Sequence, residues 1–238
     1  MSSLVSLALI LFLALGLPAQ AGSLQVSTVS LDVVAPGAAT TLILRNTGTE
    51  AISAQLRVFK WLQQNETEEL IATEDVVASP PLAKLEPGQD YTVRIVRVAR
   101  RPVEGEETYR LLVDELPQAQ RAGGLGVKFA LRYSQPVFFG SASRVSPKLA
   151  WSAHASKGTL KLTAINSGER RVRLSAMKIT NSGGQQIVSR DGLFGYVLGG
   201  ARMTWDFPLE KDKGISDNLH VAVSSDGGAI NASFPVKK

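Results

Sequence analysis

The chain has 238 residues, carries 26 Lys and Arg against 21 Asp and Glu for a formal net charge of +5, and contains no cysteine. Without cysteine there is no disulfide framework, no zinc–thiolate site and no cysteine nucleophile, so stability has to come from hydrophobic cores. The mild basic excess does not point to nucleic acid; it suits a surface that meets acidic polypeptides, carboxylate termini or membrane headgroups.

Leu4 to Leu17 is an apolar run of fourteen residues, shorter than the roughly 20 that span a bilayer. Pro18-Ala19-Gln20-Ala21 follows it, with small residues suited to signal-peptidase cleavage. The expectation is a cleavable signal peptide over 1–21 and a mature chain starting at Gly22, although no Lys or Arg precedes the apolar run. Cleavage leaves 217 residues, enough for one large or two ordinary β-domains. No later segment has the length and apolarity of a membrane span, so the exported chain is expected to be soluble, without stable membrane insertion.

Short alternating runs and turn residues recur along the chain, and no amphipathic helical pattern exceeds two turns; the pattern is all-β. In the first half strands are predicted near 24–31, 40–46, 52–62, 91–99, 108–116 and 125–133, separated by Asn46-Thr47-Gly48, Pro80-Pro81, Pro87-Gly88 and Pro102. Tyr91, Val93 and Ile95 mark one inward face, and Tyr109, Leu111 and Val113 another. Their number and spacing are those of an immunoglobulin-like sandwich. In the last of these strands Leu125, Val127, Phe129, Leu131 and Tyr133 alternate with small or basic residues, so they form one apolar ridge. Ala122-Gly123-Gly124 leads into it, and Pro136 follows where a strand would normally leave its sheet. On the residues alone this is either a half-buried strand of the domain itself or a strand that a partner borrows.

A boundary is expected between Pro136 and Pro147, through the polar, turn-prone segment 141–147. Alternation then resumes at Leu160, Leu162 and Ala164; at Val172 and Leu174; at Met203, Trp205 and Phe207; at Leu219, Val221 and Val223; and at Ile230, Ala232 and Phe234. Asn166-Ser167-Gly168 echoes Asn46-Thr47-Gly48, which indicates similar turn chemistry in the two halves. The expected organisation is a first domain over 22–139 and a second over 140–238.

Few residues suggest chemistry. His154 lies in a Ser-rich stretch and His220 faces away from Leu219 and Val221, so both are expected on the surface. No nucleophile elbow, zinc-binding H-E-x-x-H or phosphate-cradling motif is present. Glu66, Glu68, Glu69, Glu74 and Asp75, and again Glu104, Glu106 and Glu107, are expected as solvated loop charge. Arg94, Arg97, Arg110, Lys128, Arg132, Arg170, Arg171 and Arg173 fall on or beside predicted strands. Most of them suit edge protection and outward faces, while a minority could line a groove between the domains and hold a carboxylate.

Tyr109-Arg110-Leu111-Leu112-Val113-Asp114-Glu115-Leu116-Pro117, a short Gly-containing loop, and then the run from Phe129 to Phe138 resemble the periplasmic pilus-assembly chaperones of the chaperone–usher pathway. Gly195-Tyr196-Val197-Leu198-Gly199-Gly200 with Trp205 downstream, Val29-Ser30-Leu31 and the strand and turn from Leu42 to Gly48 extend the resemblance over essentially the whole mature chain. The Arg132-Tyr133-Ser134-Gln135-Pro136-Val137-Phe138 ending is most similar to the archaic, Csu-type and spore-coat-like branch. The resemblance implies two tandem immunoglobulin-like β-sandwich domains in a boomerang arrangement, acting in the periplasm with no cofactor, metal, ATP or covalent chemistry. It implies pilin subunits that lack a strand as clients, an outer-membrane usher as second partner, and the ridge Leu125, Val127, Phe129, Leu131 and Tyr133 as the donor strand. In better-known branches an Arg of the first strand and a Lys of the donor strand grip the client's terminal carboxylate. Here those positions fall at Ser30 and at Ala130 or Leu131, so an anchor would have to come from Arg110, Lys128 or Arg132. The competing readings are an exported structural or adhesive tandem-sandwich protein and, more remotely, a carbohydrate-active enzyme built on two of the carboxylates.

Overall fold

The computed structural model describes residues 24–117, 130–209, 215 and 217–237. All the regular structure among them is β-strand. The first half supplies β1 (Leu24–Val26), β2 (Leu31–Val34), β3 (Ala39–Asn46), β4 (Ile52–Gln64), β5 (Thr67–Ala72), β6 (Val76–Ser79), β7 (Leu82–Leu85), β8 (Asp90–Arg97), β9 (Glu106–Leu116) and β10 (Arg132–Gly140). They form one sheet in the order β1-β3-β8-β6 and another in the order β2-β10-β9-β4-β5, with β7 also on β4. Leu42, Leu44, Val93 and Ile95 from the first sheet meet Tyr109, Leu111, Val113, Val137 and Phe139 from the second in one core. Burial of each such side chain stabilises the fold by about 1.5–3 kcal/mol before chain ordering is counted.

The structure departs from the predicted strands in three places. The strand expected over 24–31 is two strands on different sheets, because Thr28 and Ser30 turn the chain: Thr28 Oγ1 donates to the Ser30 carbonyl and Ser30 Oγ to Asp32. β5, β6 and β7 were missed; they are short and lie around Pro80-Pro81. Of the strand expected over 125–133, Leu125, Val127, Lys128 and Phe129 lie outside the described residues, and its described end enters β10 at Arg132. Pro136 sits within β10 instead of ending it. The partner β2 joins only at Val137, so at Pro136 the strand is paired with β9 alone and can spare an N–H.

The second half supplies β11 (Leu149–Ser156), β12 (Thr159–Asn166), β13 (Val172–Asn181), β14 (Gln186–Val197), β15 (Arg202–Pro208), β16 (Asn218–Ser225) and β17 (Gly228–Lys237). Their path runs β14-β13-β16-β17-β11-β12-β15. It folds over at the short parallel contact of β11 with β17, at Ala153↔Val236 and His154↔Lys237, so that β14 and β15 approach across a second core. Leu160, Leu162, Leu174, Ile179, Val221 and Phe234 fill that core.

Among the described residues the two halves share no ladder of paired strands, only the isolated bridge between Glu66 and Met203, yet they are tightly joined. Trp61 of β4, Phe138 of β10 and Tyr196, Leu198 and Ala201 of the second half form a small buried cluster. The connecting segment, expected as a polar linker, is held on both sides. The Ser141 N–H donates to the Gly105 carbonyl, the Val145 N–H to the Glu169 carboxylate, and the Glu169 and Arg170 N–H groups return to the Val145 carbonyl.

Candidate functional site

Side chains alternate along β9, so its even-numbered residues Thr108, Arg110, Leu112 and Asp114 share the outer face of their sheet, away from the first core. Arg57, Phe59 and Trp61 from β4 lie beside them, and Phe138 of β10 pairs with Thr108. The Thr108 hydroxyl donates to the Trp61 carbonyl at 2.6 Å and fixes this corner.

Arg110 is the most unusual group on this face. Its guanidinium carbon stands 3.7 Å from the Trp61 ring centroid and 5.6 Å from that of Tyr196, so one aromatic wall comes from each half. Burial pulls its pKa below the ordinary arginine value, partly offset by Glu68 and Tyr196. It remains charged, and among the described residues it forms an ion pair with no carboxylate. A half-desolvated guanidinium held between rings with its charge unspent is suited to accept an anion.

The other candidate cations are differently placed. Arg132 is 63% exposed at the side chain and pairs with Asp114, which also accepts from Arg57 Nη2 at 2.7 Å. Burial pushes the Asp114 carboxyl up, but the hydrogen bonds from Arg132 and Arg57 outweigh it and hold the carboxyl below its usual range. Lys128 lies outside the described residues.

Of the apolar ridge, Leu131 and Tyr133 are half-buried and pack on the first core. The Leu131 carbonyl accepts from the Glu115 N–H at 2.9 Å, and the Tyr133 hydroxyl donates to the Leu24 carbonyl at 2.6 Å. Among the described residues the side of β10 away from β9 carries no strand from Arg132 to Pro136, since β2 begins only opposite Val137.

Several charges expected on loops or outward faces are buried in ion pairs. Glu106 and Glu107 belong to β9 and not to a loop, and Glu68 and Glu69 to β5. Arg171, 5% exposed, pairs with Glu106, 1% exposed, at 2.7 Å and with Asp32, and its guanidinium carbon lies 3.5 Å from the Phe138 centroid. Arg97 pairs with Glu107 at 2.7 Å, and the Tyr109 hydroxyl donates to the same carboxylate. These carboxylates are taken up by fixed partners that tie strands and halves together. His154 and His220 are exposed as expected, with His220 Nδ1 2.6 Å from Ser233 Oγ. Among the described residues no three His, Asp or Glu side chains group as metal ligands, and no helix is long and apolar enough to cross a membrane.

Sequence reasoning did not single out Trp61 and Gln63. Gln63 is nearly buried at the joint, its Nε2 donating to the Tyr196 carbonyl at 2.9 Å and its Oε1 accepting from the Leu198 N–H at 2.8 Å. The only signal was the apolar continuation of β4 through Trp61; the partner is more than a hundred residues away in the chain.

The first half is thus a β-sandwich of ten strands, joined to the second where Arg110 stands between Trp61 and Tyr196. The family model for the pili and flagellar-assembly chaperone PapD N-terminal domain matches residues 23–142. The chain belongs to this family of assembly chaperones, and is accordingly not an enzyme. Solved structures agree in fold over both halves. A chain of the CsuC–CsuE chaperone–tip adhesion subunit pre-assembly complex from archaic Csu pili of Acinetobacter baumannii is 24% identical, with a TM-score of 0.70, over 91% of this chain and all of that one. One from the SafA pilin–SafB chaperone complex of Salmonella enterica is 19% identical, with a TM-score of 0.62, over 90% of this chain and 97% of that one. The CupB2 chaperone of Pseudomonas aeruginosa is 16% identical, with a TM-score of 0.57, over 89% and 100%. No curated protein sequence matches the chain.

Proposed function

We propose that this protein is a periplasmic chaperone of the archaic, Csu-type branch that binds pilus subunits by lending them a strand and delivers them to an outer-membrane usher. Residues 1–21 are its signal peptide, 22–139 its donor-strand domain and 140–238 its second domain; the two large separate cores, and sheets that share no strand among the described residues, support that division. The observation that carries the proposal is the side of β10 from Arg132 to Pro136 that pairs with no strand among the described residues, at the end of the ridge Leu125, Val127, Phe129, Leu131 and Tyr133. A subunit lacking a strand exposes both unpaired backbone and an apolar cleft, and a lent strand satisfies both. Of the two described candidate anchors, Arg110 is better placed for the client's terminal carboxylate than Arg132, which already serves Asp114.

The test is co-expression with candidate pilin subunits. A soluble one-to-one complex is expected from the periplasm, stable without nucleotide and in EDTA. Recovery of free, soluble pilin without the chaperone, or undiminished capture by a Val127→Asp, Phe129→Asp variant, would overturn the proposal.

A further inference from the structure

We infer that Gln63 is a positioning residue for the anchor, holding the second half against the first so that Arg110 is presented to the groove with its charge free. Gln63 lies at the end of β4, and its amide grips the backbone of the second half at two points, the Tyr196 carbonyl and the Leu198 N–H. That reproduces with one side chain the donor and acceptor pair of a β-bridge, across a joint where no strand pairs. A second tie lies just beyond the hairpin turn, where Glu66 forms an isolated parallel bridge with Met203. The β4–β5 hairpin is therefore a strut from one sandwich into the other.

The strut reaches Arg110 through the aromatic contacts. With its carbonyl held by Gln63, Tyr196 sets its ring edge-on to Trp61, 5.3 Å between centroids at 84°. Trp61 presents its face to Arg110, and the Tyr196 ring closes the second side. Remove the amide and Tyr196 stays in its own sheet opposite Arg173 but is no longer tied to the end of β4, so the gap between Trp61 and Tyr196 can widen and the guanidinium can turn away or gain water. Gln63 itself lies behind Tyr196 and has no direct contact with Arg110 among the described interactions. Its grip matters to capture only if Arg110 is the anchor proposed above.

The experiment compares Gln63→Met, which keeps the volume and loses all three hydrogen bonds of the amide, the one to Glu68 included, with Gln63→Glu, which keeps the acceptor for Leu198, loses the donor to Tyr196 and sets a second carboxylate beside Glu68. Since the chain has no cysteine, spin labels at Lys84→Cys and Lys161→Cys report the distance between halves by double electron–electron resonance. Each variant should keep the strand content of the parent by circular dichroism. Gln63→Met should broaden the distance distribution and, by loosening the setting of Arg110, weaken pilin capture about tenfold, equivalent to about 1.4 kcal/mol of binding; Gln63→Glu should act in the same direction. An unchanged distance distribution, or unchanged capture despite a broadened one, would overturn the role of Gln63. Arg110→Ala runs in parallel: if it captures normally the anchor assignment itself is wrong, whereas if it loses capture and Gln63→Met does not, only the positioning role fails.

Discussion

Asn46 and Asn166 do the same work in the two halves of the molecule. Each is completely buried at the end of a strand. Each accepts through Oδ1 from the glycine two residues on, Gly48 at 2.9 Å and Gly168 at 3.0 Å. Each donates through Nδ2 to the carbonyl four residues on, Glu50 and Arg170, both at 2.8 Å, and again to a carbonyl across the fold, Leu85 for Asn46 and Val197 and Leu198 for Asn166. One amide thus closes its own turn and ties it to a distant strand.

Replacing either asparagine by alanine leaves buried carbonyls and a glycine N–H without partners, and each should cost about 2 to 3 kcal/mol. Aspartate can still accept from the glycine but cannot donate to the carbonyls, so Asn46→Asp and Asn166→Asp should be no better than alanine. Urea unfolding of the four variants checks this; an aspartate variant as stable as the parent would mean that the turn bond alone matters.

Arg171 should be worth more to the joint between the halves than any exposed ion pair. Its partner Glu106 is 1% exposed, and Arg144 at 3.5 Å is the only other cation paired with it among the described residues. Arg171→Ala therefore strands a buried carboxylate and should cost about 3 kcal/mol or more, while adding Glu106→Gln should recover part of that loss. In calorimetry Arg171→Ala should separate the melting of the halves more than the parent does. Recovery absent from the double variant would show that the guanidinium acts mainly through its contact with Phe138.

Acid should weaken the first half through specific carboxylates. Burial raises the Glu107 pKa, but the hydrogen bonds from Arg97 and Tyr109 outweigh it, so the net shift is downward, as it is for Asp114. A carboxyl that titrates lower when folded contributes stability that is complete above about pH 4.5 and is lost as pH falls through the folded value. Unfolding free energy measured from pH 7 downward should thus fall below about pH 4.5, and Glu107→Gln should be less stable at neutrality with a shallower acid limb. A parallel acid limb in the variant would assign the loss to other groups.

What the sequence made legible was what lies within a single element. Tyr109, Leu111 and Val113 alternate along one strand, and all three are buried as read. Asn46-Thr47-Gly48 and Asn166-Ser167-Gly168 carry their turn bonds within three residues. Contacts between elements were not legible: Glu106 looks like loop charge until Arg171, 65 residues on, is brought to it. Arg110 likewise reads as an outward strand residue, and only the meeting of Trp61 with Tyr196 makes it a desolvated cation. Pro136 reads as the end of a strand, yet β10 runs through it because β2 arrives one residue later, and of the ridge before it the described residues take in only Leu131 and Tyr133.

The ridge itself divides at that point, and the division gives the sharpest test of the donor strand. Leu131 is half-buried on the first core and its carbonyl is held by Glu115. Leu131→Asp should therefore destabilise the free chaperone by about 1–3 kcal/mol through a partly buried charge. Phe129, if lent to a client, contributes to that client's core instead of the chaperone's. Phe129→Asp should then leave the melting temperature nearly unchanged and still abolish capture, because losing about 4 kcal/mol of contact lowers affinity close to a thousandfold. Melting curves and pilin recovery for the two variants decide between the alternatives: equal destabilisation by both would place Phe129 in the chaperone's own core and remove the donor-strand assignment, while a stable Phe129→Asp protein that returns no pilin would support it.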